Sequence, residues 1–137
     1  MAKWLMKTEP KDYSWDRLVA DGETDWTGVR NPQASANLRA MKLGEEVFFY
    51  RSVVEPAIVG IMTISAEWTP DPRDPSGKRG FVKVKPLRPV AHEVSLRAIK
   101  TDPRLSDLAL VRQSRLSVLP VSDAHWAILL GMAGLSR

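Results

Sequence analysis

There is no cysteine in this chain of 137 residues. Disulfide frameworks, cysteine-based zinc sites, thiol nucleophiles and thiol redox pairs are therefore excluded. Histidine is scarce: His92 and His125 are the only two. They do not stand at metal-ligand spacing, and each sits beside apolar or turn residues. Both read as structural or solvent-facing, and no metal is expected. A glycine-rich phosphate loop is also missing, which argues against nucleotide hydrolysis and dinucleotide binding. No cofactor is expected. No stretch approaches about 18 consecutive apolar residues, the length of a membrane span. The start, Met1-Ala2-Lys3-Trp4-Leu5-Met6-Lys7, is too short and too soon charged for a signal peptide. These absences fit a soluble protein of a reducing cytoplasm.

What is present fits one globular unit. Hydrophobic residues make up 44% of the chain, enough to bury a core without staples. The length points to a single domain, residues 1–137. Lys and Arg number 20 against 16 Asp and Glu, a net charge of +4. That mild excess is compatible with a polyanionic partner such as nucleic acid.

Element signals follow in order. Residues 3–7 read as a strand that stops at Glu9-Pro10, since proline cannot continue a ladder. Ser14 is a helix N-cap, with Trp15, Leu18 and Val19 at helical spacing and Gly22 as the stop. Asp25 to Arg30 has no periodicity and reads as a loop. Asn31-Pro32 opens a second helix that turns Ala34, Leu38 and Met41 inward and ends near Gly44. Strands are expected at Val47–Ser52, Ala57–Trp68 and Phe81–Val90, the last two joined by the turn-rich segment 70–80. Gly60, inside an apolar strand, marks a bulge or a close approach. Short helices follow at 95–100 and 105–111, then a strand at Leu116–Leu119. A last helix is capped by Ser122 and buries Trp126, Leu129, Leu130 and Ala133. Strands in the middle with helices at the ends indicate an α+β fold with a curved, mainly antiparallel sheet.

Two clusters carry possible chemistry. In Trp26-Thr27-Gly28-Val29-Arg30-Asn31, an aromatic opens an aperiodic loop and Gly28 permits a tight turn. Arg30 and Asn31 then arrive at a helix N-terminus, where free N–H groups favour anions. Trp26 has two readings: a plate in a pocket, or a core residue. Lys7-Thr8-Glu9 is the second cluster, where Lys7 and Glu9 share one side of a strand end. It reads as an ion pair on a cavity rim or as an acid–base pair. On the third strand Phe48, Tyr50 and Ser52 share a face, with Phe49 and Arg51 opposite. Tyr50 and Ser52 can present polar groups to a pocket floor. Arg112, Arg115 and Lys78-Arg79 supply positive charge for phosphates.

Several of these segments, taken in order, resemble the EVE domain family. Trp4-Leu5-Met6-Lys7-Thr8-Glu9-Pro10 is similar to its opening signature, and Trp26 to Ala34 to its second. Leu43 to Ser52 resembles the third, and Pro56 to Gly60 and Val111 to Val121 complete the series. The resemblance implies a PUA-like fold, a curved, barrel-like sheet with peripheral helices, related to YTH and ASCH domains. It also implies a nucleic-acid-binding module that captures a modified base: a 5-methylcytosine-type DNA base, as in eukaryotic members, or a modified RNA base. By that analogy Trp26 is a cage wall, Lys7, Thr8 and Glu9 are rim groups, and Thr27, Asn31, Tyr50 and Ser52 are candidate readers. Arg30, Arg51, Arg112 and Arg115 become candidate phosphate contacts, with Arg51 standing where histidine is common in the family. The segment 70–80 and the region after Val90 are shorter than in eukaryotic members.

A module of this kind is a binder, with no catalytic residues expected. The enzymatic alternative is a small ASCH-like amidohydrolase acting on modified nucleosides, for which Lys7, Thr8 and Glu9 supply the residue types. A protein-interaction domain is a third reading, marked by an exposed apolar patch and a collapsed pocket.

Overall fold

The computed structural model describes residues 1–136. The chain opens with strand β1 (Lys3–Thr8) and helix α1 (Trp15–Asp21). Ser14 Oγ accepts the Arg17 N–H at 3.1 Å, and Gly22, at φ 77°, ends the helix in the left-handed conformation that glycine tolerates. Leu18 is buried, but Val19 is 54% exposed, because the seven-residue helix turns only a narrow stripe inward. Strand β2 (Thr24–Asp25) follows and pairs with Lys83 and Val84. Two residues are too few to show an alternating pattern, so the sequence reads Asp25 as the start of a loop.

Helix α2 (Pro32–Ala40) begins on an Asn31 cap with Pro32 in its first turn. It stops before Gly44, at an extended Met41. Strands β3 (Glu46–Arg51), β4 (Ala57–Pro70) and β5 (Gly80–Ser95) form the middle of the chain. The hairpin strands are longer than the apolar runs indicate, since a ladder can extend through polar residues once its partner is in register. Helix α3 (Leu96–Thr101), a 3-10 turn at Pro103–Leu105 and helix α4 (Ala109–Arg112) come next. The helix expected at 105–111 is therefore broken in two. Strand β6 (Val118–Val121) lies two residues beyond the expected start, and helix α5 (Asp123–Met132) follows on its Ser122 cap.

The six strands lie in the order β2-β5-β4-β3-β1-β6. Four of the pairings are antiparallel, and β1 runs parallel to β3. The sheet is thus mixed and mainly antiparallel. Its ladder is open, as no pairing joins β2 to β6 among the described residues. Repeated register shifts along β4 bend it. One shift falls where Phe49 pairs with Gly60 and Tyr50 with Ile58, leaving Val59 as the extra residue. At Gly60 a Cβ would come within 2.5 Å of the Trp15 ring, so the missing side chain lets α1 lie on the strand. The bulge and the close approach are both present.

One buried cluster joins the sheet to the helices that pack on it, α5 among them. Phe48 stacks on Trp126 at 3.8 Å, and Phe49 meets Trp15 edge-on at 5.4 Å. Asn37 Nδ2 donates to the Val118 carbonyl at 2.8 Å and ties α2 to β6. Among the described residues, no helix is long and apolar enough to cross a membrane.

Candidate functional site

The C-terminal ends of β1 and β3 open into a cavity of about 860 Å³. That falls within the usual range for small-ligand sites, roughly 300–1,000 Å³. The parallel register sets Lys7 beside Tyr50 and Thr8 beside Arg51. The turn after β2, the start of α3 and the segment around Ser114 close the other sides.

Trp26 lines this cavity and is only 7% exposed. Its backbone N–H donates to the Val82 carbonyl at 2.9 Å, extending the β2–β5 pairing by one residue. Its ring stands edge-on to Phe49 at 5.8 Å and 86°. Phe49 is in turn braced by Trp15, which rests on Gly60. The two readings of Trp26 therefore coincide: one side of the residue packs on the core, and it also lines the cavity. A wall braced this way keeps its orientation when the cavity is empty.

Lys7, Thr8, Glu9, Tyr50, Ser52 and Thr27 all line the same cavity. Lys7 Nζ donates to the Ser114 carbonyl at 2.9 Å and stands 5.9 Å from the Tyr50 ring centroid. Burial lowers the Lys7 pKa from its ordinary value. Lys7 and Glu9 do not pair with each other; Glu9 meets Lys11 at 3.5 Å. Burial raises the Tyr50 hydroxyl to about 12, so near neutral pH it is a protonated donor.

The other expected groups lie elsewhere. Asn31 Oδ1 accepts the N–H groups of Gln33 and Ala34 at 2.9 and 3.0 Å, and the residue is not on the cavity lining. Arg30 is exposed outside the lining. Arg51 pairs with both Glu93 carboxylate oxygens, at 2.7 and 3.1 Å, and also donates to the Val54 and Glu55 carbonyls. Its hydrogen bonds to Glu93 raise the Arg51 pKa and lower that of Glu93. Arg112 pairs with Asp107 at 3.2 Å. Of the four candidate arginines, only Arg115 lines the cavity.

The sequence reading missed Tyr13, Arg17, Val53, Leu96 and Lys100, all of which line the cavity. Tyr13 donates its hydroxyl to Asp21 at 2.7 Å, and Arg17 lies 5.3 Å from the Tyr13 ring centroid. They flank the Ser14 cap, where local signals speak only of a helix start. Val53 and Lys100 come from distant segments that only the sheet brings together.

Comparison with known proteins places this geometry. The EVE domain model matches residues 2–132. Human thymocyte nuclear protein 1 is 34% identical over 163 residues, covering 94% of this chain and 72% of that protein. A crystal structure of the human protein in complex with 5-methylcytosine-containing DNA matches with a TM-score of 0.90 at 33% identity, covering 100% of both chains. An NMR structure of a Rhodopseudomonas palustris protein matches with a TM-score of 0.95 at 45% identity, covering 100% of this chain and 96% of that one. A YTH domain from Zygosaccharomyces rouxii, solved with N6-methyladenosine RNA, is 16% identical with a TM-score of 0.62, covering 96% and 86%. At that identity the likeness is one of fold alone, and it agrees with the curved α+β architecture described above. With the family model spanning nearly the whole length, this chain belongs to the EVE domain family.

Proposed function

We propose that this protein is a nucleic-acid-binding module whose single domain captures a modified base in the Trp26 cavity. A 5-methylcytosine-type DNA base is the first ligand to consider, and a modified RNA base the second. The observation that carries the reading is the braced Trp26 wall on a cavity that also holds protonated Tyr50 and the Lys7 amine. A planar base would stack on the indole while Tyr50, Thr27 and Ser52 offer polar groups to its edge. Leu96 and Leu110, also on the lining, give apolar contact for a methyl group. The complex of the human relative with 5-methylcytosine DNA supports the ligand class.

Capture is favoured over hydrolysis by the state of the rim. The Lys7 amine is held on a backbone carbonyl and Glu9 on Lys11, so neither activates the other. In this reading Thr8 and Glu9 are rim groups. Of the four arginines expected to meet phosphates, Arg115 stands nearest the cavity, with Arg30 next in rank as an exposed cation.

The test is affinity for oligonucleotides with and without the modified base, in wild type and in Trp26→Ala. A lost base–aromatic stack costs about 1–3 kcal/mol, or roughly 5- to 150-fold in Kd. Because Trp26 also packs on Phe49, thermal stability should fall too, so binding is read where the variant remains folded. A folded Trp26→Ala that binds modified oligonucleotides as tightly as wild type would sink the assignment.

A further inference from the structure

Resting on that reading, we propose that Val53 is the wedge that fills the gap left in a DNA duplex when the target base enters the cavity. Six large apolar side chains are strongly exposed among the described residues, and two of them, Val53 and Val54, are adjacent in the turn after β3. Val53 is 69% exposed and lines the cavity. Its φ is 70°, in the left-handed region that a β-branched residue avoids. The Val54 N–H donates to the Ser52 carbonyl at 2.8 Å, so Val53 is the centre of a three-residue γ-turn of the strained, positive-φ kind.

The turn is fastened on every side but its tip. The Ser52 N–H donates to the Thr8 carbonyl, and the Leu96 N–H to the Pro56 carbonyl, both at 2.9 Å. The Arg51 guanidinium holds the Val54 and Glu55 carbonyls and is itself fixed by Glu93. Arg51 is thus accounted for as the clamp of this loop. A fixed apolar tip beside a cavity roomy enough for a base matches what extrusion requires. A base must leave the stack to enter a pocket. An apolar side chain inserted at the vacated step offsets part of the unstacking. Arg17, Lys100 and Arg115 on the same lining put positive charge where the flanking phosphates would run.

The deciding variant is Val53→Gly. Glycine is at ease at positive φ, so this change removes the wedge without endangering the turn, and melting temperature should stay level or rise. Binding is measured by anisotropy on a duplex with one central 5-methylcytosine, on the same strand alone, and on a duplex with a mismatch opposite the target. Val53→Gly should weaken duplex binding roughly 10-fold and single-strand binding by less than about 2-fold. The mismatched duplex, whose target base is already loosely stacked, should recover most of the loss. Equal losses on duplex and single strand, or none on the duplex, would overturn the wedge and leave the cavity reading standing. If wild type prefers the modified base in none of the three, the cavity reading fails and the wedge with it. If Val53→Gly binds all three like wild type but loses a protein partner, the tip is a protein contact and the wedge is refuted.

Discussion

Strands β1 and β3 run side by side through the molecule, and their two ends are built on opposite plans. At the start of the pair Glu45 is 4% exposed, yet its carboxylate has every bond it needs. It accepts the Trp4 indole N–H at 2.9 Å, the Lys42 N–H at 2.8 Å and the Ala2 N–H at 2.8 Å. Burial alone would raise the Glu45 pKa, but these donors outweigh it and hold the value below the ordinary one. At the far end Tyr50, Thr27 and Ser52 face a cavity, and Trp26 stands on its lining. Both ends contain a tryptophan and buried polar atoms. A polar group saturated by its own chain is architecture, and one held in place but left open is available to a ligand.

The comparison breaks first at Glu45. Glu45→Ala strands the buried Trp4 N–H and should cost roughly 3 kcal/mol in chemical denaturation. The folded fraction should bind oligonucleotides as wild type does. The wild-type contribution is present above the ordinary carboxylate value of 4.5 and lost as pH falls through the lower folded value. A stability profile flat across that acid window would remove the structural reading of this end.

Tyr50 should give the mirror image in alkali. Its folded pKa of about 12 lies above the ordinary 10.0, so the folded state keeps a proton that the unfolded state releases. That contribution is complete below pH 10 and lost as pH rises toward 12. The loss is up to roughly 2–3 kcal/mol, at about 1.4 kcal/mol per pH unit. Tyr50→Phe should flatten this limb of the stability curve and also weaken binding at neutral pH. An unchanged alkaline limb in the variant would mean that Tyr50 is not the group responsible.

The smallest expected effect separates two arginines close in sequence. Arg115 lines the cavity, whereas Arg112 is tied to Asp107. Arg115→Ala should lower the salt slope of duplex binding by about 0.9, the contribution of one phosphate, and Arg112→Ala by much less. Equal slopes for the two variants would remove Arg115 as the phosphate contact.

Much of the scaffold is legible in the sequence because its signals are local. Ser14, Asn31 and Ser122 cap helices at the expected places, and the long hairpin follows from two apolar runs with a turn-rich segment between. Gly60 is visible as an anomaly, though nothing local says that Trp15 occupies its space. The cavity is less legible because its parts come from separate segments. Asn31 looks like a reader until its oxygen is found on two backbone N–H groups. Arg51 looks like a phosphate ligand until Glu93, 42 residues away, is found beside it. Trp26 stands out because no periodic stripe explains it, and that lack of a local explanation is the clearest signal in the chain.

The five tryptophans provide the most direct test, since each carries one indole N–H that NMR can follow. The wild-type protein is titrated with a short oligonucleotide containing 5-methylcytosine, and with the same strand containing cytosine. The Trp26 indole signal should move furthest, and further for the methylated strand. The Trp4 signal, locked on Glu45, should stay in place. A titration in which Trp26 stays still while another indole shifts would contradict the claim that its cavity receives the base.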